Sequence, residues 1–162
     1  MTHRAATWTT LAVLAALASI DRGDDAHAQQ QEDVPEGTVA VGDLLWYLGS
    51  TAETVPWSEA HEYCETLEHG GFDDWRLPVL AELETLHDPS ADDGIRAPFE
   101  LADCCAWSST NLVELPAEAK GVLPDPTNDP ADYYWGFLFT GGVRYYSFGR
   151  FPDGLAMCVR EP

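Results

Sequence analysis

Apolar and polar positions follow two different periods along this chain, and each change of period marks an element. Trp57, Ala60, Cys64 and Leu67 recur at helical spacing and share one apolar stripe. That stripe predicts a helix over roughly residues 55–69, with Pro56 tolerated in its first turn. Gly70 and Gly71 are expected to stop it, because glycine accepts the left-handed cap conformation. Trp75-Arg76-Leu77-Pro78 reads as a stiff extended segment, since the residue before a proline is pushed out of the α region. A second helix is expected over roughly residues 79–87, with Val79, Leu83 and Leu86 on one face and Asp88-Pro89 ending it. Residues 38–41 and 44–47 read as short strands about a Gly42-Asp43 turn. The clearest hairpin runs from 134–139 through Thr140-Gly141-Gly142 to 143–148. Residues 106–110 read as a strand end and 155–160 as a final strand. Residues 111–132 form a long loop rich in proline and acids, a length that often carries function.

The first residues follow another logic. His3 and Arg4 make a basic start, residues 8–20 are mostly apolar, and Ala26-His27-Ala28 is a small-x-small cleavage site. This is the pattern of a secretory signal peptide cut before Gln29. The apolar run is short of the roughly 20 residues that a transmembrane helix takes. The expected division is therefore a signal peptide over 1–28, a flexible leader over 29–37 and one folded domain over 38–162. The expected place is the periplasm or the cell exterior.

Charge narrows the partners. The chain carries 28 acidic and 8 basic side chains, a formal net charge of −20. Such a chain is not drawn to nucleic acid, anionic membrane or sulfated polysaccharide by bulk electrostatics. Basic partners or divalent cations suit it better, and a solvated acidic surface is the plainer reading. Asp88, Asp92 and Asp93 lie in one acidic loop; Asp125, Asn128, Asp129 and Asp132 lie in another. Calcium takes several carboxylate and carbonyl oxygens from such loops. Asp125, Asn128 and Asp129 are accordingly the candidate calcium ligands.

Four cysteines remain after the leader: Cys64, Cys104, Cys105 and Cys158. An even count in an exported chain points to disulfides, and four allow three pairings. Cys64 with Cys158 and Cys104 with Cys105 is the preferred set. Neighbouring Cα atoms sit about 3.8 Å apart, below the usual disulfide span, so an adjacent bridge is expected to be strained and easily reduced. Two free thiols, or bonds to another chain, are its rivals.

No catalytic set stands out. Ser108 and Ser109 lack the Gly-x-Ser-x-Gly elbow of a nucleophilic serine. His61 and Cys64 stand three apart on one helix face, a zinc-compatible spacing, but a disulfide half and a helix-edge histidine explain them as well. Cys104 and Cys105 could serve a cysteine-based oxidoreductase. That chemistry wants basic neighbours to lower a thiol pKa, and Asp103 stands beside them instead. Tyr134, Trp135, Tyr145 and Tyr146 make the hairpin aromatic and are the candidate ligand-binding residues, because aromatic faces stack on sugars and anchor protein interfaces. Strand alternation should turn about half of them inward.

Four blocks in order carry a resemblance: Trp57-Ser58-Glu59-Ala60-His61-Glu62-Tyr63-Cys64; Asp74-Trp75-Arg76-Leu77-Pro78 with Glu82-Leu83; Trp107-Ser108-Ser109-Thr110; and Cys158-Val159-Arg160. Together they resemble the Lcl C-terminal domain family, over a match that spans about residues 44–160. The family takes its name from the collagen-like adhesin of Legionella and was long listed as a domain of unknown function. The resemblance implies a compact α+β domain with two helices and a small, mainly antiparallel sheet, related to C-type-lectin-like folds. In those folds a cysteine of the first helix bridges to the final strand, which suits Cys64 and Cys158. Lectin-like folds also place calcium and sugar near the acidic loop at 125–132, although their Glu-Pro-Asn and Trp-Asn-Asp signatures are missing here. Trp57, Trp75, Arg76, Pro78 and Trp107 are then structural residues. The named adhesin binds sulfated glycosaminoglycans through a basic surface, and the acidity of this chain separates it from that ligand. Val79 stands where the family often has a helix-capping threonine, and Met157 where an arginine often precedes the final cysteine.

The function expected from all this is an exported, non-catalytic recognition or adhesion domain that binds a glycan, a protein or a surface component. Two alternatives stand beside it. One is an enzyme using Cys104 and Cys105, either an oxidoreductase or a relative of the formylglycine-generating enzymes that share the lectin-like ancestry. The other is a structural module that works as a homo-oligomer.

Overall fold

The structure, a computed structural model, describes residues 34–114 and 127–162. The predicted leader over 1–28, the start of the segment over 29–37, and Asp125 lie outside the described residues. The element order is β1 (Thr38–Val41), β2 (Leu44–Ser50), α1 (Trp57–Glu65), α2 (Leu80–Glu84), β3 (Cys105–Asn111), β4 (Tyr133–Leu138), β5 (Val143–Phe148) and β6 (Met157–Arg160). Short 3-10 turns occupy Leu112–Glu114, Pro130–Asp132 and Phe139–Gly141. Among the described residues this is a compact α+β domain with two helices. Its strands form two antiparallel three-stranded sheets rather than one, in the orders β1-β2-β6 and β3-β4-β5.

The sheets are joined through the approach to β6. Trp107 donates its N–H to Leu155 O at 3.0 Å, and Leu155 donates to Cys105 O at 2.9 Å. Ala156 then leads the chain into β6 of the other sheet, so the expected strand over 155–160 is a crossing followed by a shorter strand. On its outer edge β6 is covered by Arg76, which exchanges both backbone bonds with Val159 at 2.9 Å. Pairing of this kind blunts an edge that would otherwise be open to other chains.

Alternation on β2 and β6 divides the core in two, because neighbouring strand residues point to opposite faces. Trp46, Met157 and Val159 enter one cluster with Leu80, Leu83, Leu86, Phe137 and Phe139. Leu45 and Cys158 enter the other with Ala60, Cys64, Trp75, Leu77 and Trp107. The Cys64–Cys158 disulfide ties α1 to β6 inside the second cluster, with Cα atoms 5.4 Å apart. Cys104 and Cys105 are bridged to each other, and none of the described cysteines is free.

Both helices are shorter than the apolar pattern predicts. α1 ends at Glu65, where Thr66 turns back through its hydroxyl to Glu62 O at 2.7 Å. Gly70 and Gly71 therefore do not cap it. They sit at φ +65° and +85° in a tight turn closed by reciprocal bonds between His69 and Phe72 at 3.0 and 3.1 Å. Two consecutive positive φ values are what a two-residue hairpin turn requires.

The second helix presents Leu80 and Leu83 to the core, joined by Leu86 just past its end, each nearly inaccessible, while Val79 is exposed. Val79 is its N-cap residue, still extended after Pro78, which shifts the buried face by one position. The missing cap hydroxyl comes from elsewhere. Thr110 Oγ1 on β3 accepts the Leu80 N–H at 2.9 Å, and Glu82 Oε2 reaches back to the Val79 N–H at 2.7 Å.

Candidate functional site: an aromatic sheet face and the loop across it

The hairpin of β4 and β5 sorts its aromatics by parity. Tyr133, Trp135 and Phe137 are buried in the first core cluster. Tyr146 packs beside them, edge to Trp135 with ring centroids 5.2 Å apart. Tyr134 and Tyr145 project from the opposite face. The four ligand candidates are thus split in pairs, and Trp135, only 4 % exposed, belongs to the interior.

Register builds the outer face in two rows. Trp107, Gly136 and Tyr145 stand side by side across the three strands; Asn111, Tyr134 and Ser147 form the next row. Gly136 leaves room for Tyr145 to lie across the sheet, since a Cβ there would collide with the phenol ring. Tyr145 donates its hydroxyl to Asp153 O at 2.6 Å. Burial, then the nearby Asp153 charge, pushes the Tyr145 pKa far above its ordinary value, so the phenol remains a neutral donor. Ser147 Oγ donates to Asp153 Oδ2, and Asp153 itself is exposed.

The start of α1 completes the face. Trp57 stacks on Tyr134 with ring centroids 3.7 Å apart and planes 11° from parallel. Its Nε1 donates to Ser108 O at 2.9 Å, and its backbone N–H to Gly149 O at 2.8 Å. His61, one turn on, lies 4.9 Å from the Trp57 ring and 3.1 Å from Glu65. The result is a largely buried, partly exposed aromatic ledge of Trp57, Tyr134 and Tyr145, with hydrogen-bonding groups of Ser147 and Asp153 at its rim. Ser147 and Asp153 escape a residue-by-residue reading. The signal for Ser147 is the hairpin register, which sets it opposite Tyr134.

The other candidates have local occupations. Arg76 makes a two-pronged pair with Glu82, both contacts at 2.9 Å, and reaches Glu161 at 2.7 Å and Leu77 O at 3.2 Å. These bonds raise its pKa further, so it is permanently charged. Trp75 is buried and donates Nε1 to His69 O at 3.3 Å. Pro78 is buried, and its carbonyl accepts from Ser109 N at 2.8 Å. Trp107 is inaccessible and donates Nε1 to Val55 O at 2.7 Å. Ser108 gives its hydroxyl to Trp135 O at 2.8 Å, and Ser109 gives its own to Pro78 O at 3.3 Å.

Asn128 donates Nδ2 to Tyr133 OH at 2.9 Å, while Asp129 Oδ1 accepts the Ala131 N–H at 2.9 Å and so caps the Pro130–Asp132 turn. Among the described residues no group of three or more His, Cys, Asp or Glu is placed to hold a metal ion. Cys64, considered with His61 for zinc, is spent in its disulfide.

A charged pair between β6 and the segment before Trp75 gives a pH expectation. Arg160, nearly buried, lies over the Phe72 ring at 3.7 Å and grips Asp74 at 2.6 and 3.1 Å. The Arg160 hydrogen bond holds the Asp74 carboxyl below its ordinary value. A depressed folded pKa contributes stability that is present above the unfolded carboxylate pKa and is lost as pH falls through the folded one. Melting temperatures between pH 6 and 3 should therefore fall less steeply for Asp74→Asn than for the parent, and parallel curves would count against the pair.

Among the described residues, two bridged cysteine pairs, two short helices and two antiparallel sheets define a disulfide-bonded α+β domain. The chain belongs to the Lcl C-terminal domain family, whose model matches residues 29–160. No curated protein is similar enough to match the chain. Among the described residues no helix is long and apolar enough to cross a membrane.

Proposed function

We infer that this chain is an exported, non-catalytic recognition domain that binds an uncharged glycan on the ledge of Trp57, Tyr134 and Tyr145. The observation that carries the reading is the Trp57–Tyr134 stack beside the Tyr145–Asp153–Ser147 hydrogen bonds. A sugar has an apolar C–H face and a rim of hydroxyls. The ledge offers aromatic surface to the first and a carboxylate and hydroxyls to the second. Membership of the Lcl C-terminal domain family agrees with a binding rather than a catalytic role.

The ligand is uncharged because cations are scarce here. Arg76, Arg144 and Arg160 each pair with carboxylates. Arg150 lies over Phe148 and Phe151 at 4.5 and 5.5 Å. With a formal charge of −20, a sulfated chain would meet net repulsion.

Binding to immobilised neutral and sulfated polysaccharides tests the reading. Neutral chains should bind, and Asp153→Ala and Ser147→Ala should each weaken binding about tenfold, the loss of one hydrogen bond at a partly solvated site. Both changes are near the surface, so the melting temperature should hold. Preferential binding of the sulfated chains, or unchanged affinity in both variants, would overturn it. Export has its own check. The intact mass of protein recovered from outside the cytoplasm should correspond to a chain starting at Gln29, and a full-length mass would refute the leader.

A further inference from the structure

The two disulfides occupy opposite settings. Cys64 and Cys158 are inaccessible, packed among Ala60, Trp75 and Trp107. Cys104 is exposed at the end of the bend that leads into β3, and Cys105 is buried as the first residue of that strand. Backbone bonds hold the pair from both sides. Phe139 donates its N–H to Cys104 O at 3.3 Å, and Leu155 donates to Cys105 O at 2.9 Å. Neither bond depends on the sulfur–sulfur link.

Cys105 Sγ stands 3.6 Å from Asp153 O. A disulfide sulfur has no proton to give that oxygen, whereas a thiol has one. The fold therefore offers a ready acceptor to the reduced form of Cys105.

We propose that Cys104–Cys105 is a thiol-exchange site, opened at the exposed Cys104 by thiols carrying neutral or cationic groups and guarded against anionic ones. Exchange begins when an external thiolate bonds to Cys104 Sγ while the Cys104–Cys105 bond breaks. Cys105 leaves as a thiolate, takes a proton from solvent and donates it toward Asp153 O. A second external thiol then displaces Cys104 as a thiol. The protein gains two electrons and two protons, and the two external thiols end as one disulfide.

Access and charge set the selectivity. Among the described cysteines Cys104 is the exposed one, so attack falls on this bridge and spares the buried one. Asp103 is the immediate neighbour, its Oδ1 accepting the Cys104 N–H at 2.7 Å. Glu100, four residues before Cys104, is exposed, Asp153, whose carbonyl oxygen lies beside Cys105 Sγ, is exposed too, and the whole chain carries −20. This field repels an attacking thiolate that brings further carboxylates and tolerates one that brings an ammonium group. The proposal stands on the cysteines alone and is independent of the glycan reading.

The test treats the full folded chain with cysteamine, 2-mercaptoethanol or glutathione, then alkylates and maps the cysteines by mass. Each rate is divided by that of the same thiol on hydroxyethyl disulfide, which removes intrinsic reactivity. Cys104 and Cys105 should be labelled while Cys64 and Cys158 remain bridged. Normalised rates should fall from cysteamine to 2-mercaptoethanol to glutathione, spanning about tenfold at low salt, the lower end of steering effects. The span should collapse near 1 M salt, where the Debye length is about 3 Å. Asp103→Asn should narrow it without changing the melting temperature. Simultaneous opening of both bridges, labelling of Cys104 and Cys105 only on unfolding, or equal normalised rates at low salt would each overturn the proposal.

Discussion

Replacing Cys64 and Cys158 together by alanine should destabilise the folded domain by about 4 kcal/mol or more. The bridge spans 94 residues of sequence, and a loop of that order restricts the unfolded chain by about 4–5 kcal/mol in the chain-entropy account. Both sulfurs also lie in the second core cluster, so their removal leaves unfilled space beside Trp75 and Trp107. Domains of this size are stable by only about 5–15 kcal/mol, so the loss takes a large share of the total. Urea unfolding followed by tryptophan fluorescence measures it. The midpoint should drop sharply, and the slope should rise as the unfolded chain, freed of its link, exposes more surface. A change below about 1 kcal/mol would mean that the unfolded state is compact even without the bridge.

That disulfide also shows what kind of information the chain carries openly. The α1 stripe, the β4–β5 hairpin and the Gly42-Asp43 turn depend on neighbours a few residues away, and periodicity with turn chemistry exposes them. Features that rest on distant partners are hidden from such a reading. Val79 looks like a failed cap until Thr110, 31 positions later in the chain, supplies the hydroxyl that bonds Leu80. Gly70 and Gly71 look like a helix stop, because the reciprocal bonding of His69 and Phe72 is set by how Trp75 and Tyr47 pack around the turn. The single expected sheet becomes two because Leu155 pairs with β3 before the chain reaches β6, a connection without a local signature.

The candidate site shows the same divide. Aromatic richness in the hairpin is visible directly, and alternation gives the correct proportion facing inward. Which pair faces inward depends on register against β3, and that register places Trp135 and Tyr146 on the core side and Tyr134 and Tyr145 on the ledge. Trp57 reaches the ledge from α1, and Asp153 from the loop before β6. Only the closed fold brings these three segments together.

Gly136→Ala should be the most damaging single change at the ledge. Gly136 is buried between Trp107 and Tyr145 in the cross-strand row, and an added Cβ would occupy space held by the phenol ring. The ring cannot sink, because the sheet lies beneath it, so it must swing out and release its hydroxyl from Asp153 O. Overpacking of this kind costs about 1–3 kcal/mol, a moderate fall in melting temperature for a chain that stays folded. The larger effect falls on recognition. Tyr145 loses its position on the ledge, and Asp153 loses the phenol that orients its backbone, so affinity for a neutral glycan should fall about a hundredfold, the sum of a lost aromatic contact and a lost hydrogen bond. Tyr145→Phe provides the contrast: it keeps the ring in place, removes only the hydroxyl, and should cost about tenfold. If Gly136→Ala lowers stability as expected but leaves glycan affinity intact, Tyr145 packs the sheet without taking part in recognition. The ligand would then lie elsewhere on the domain.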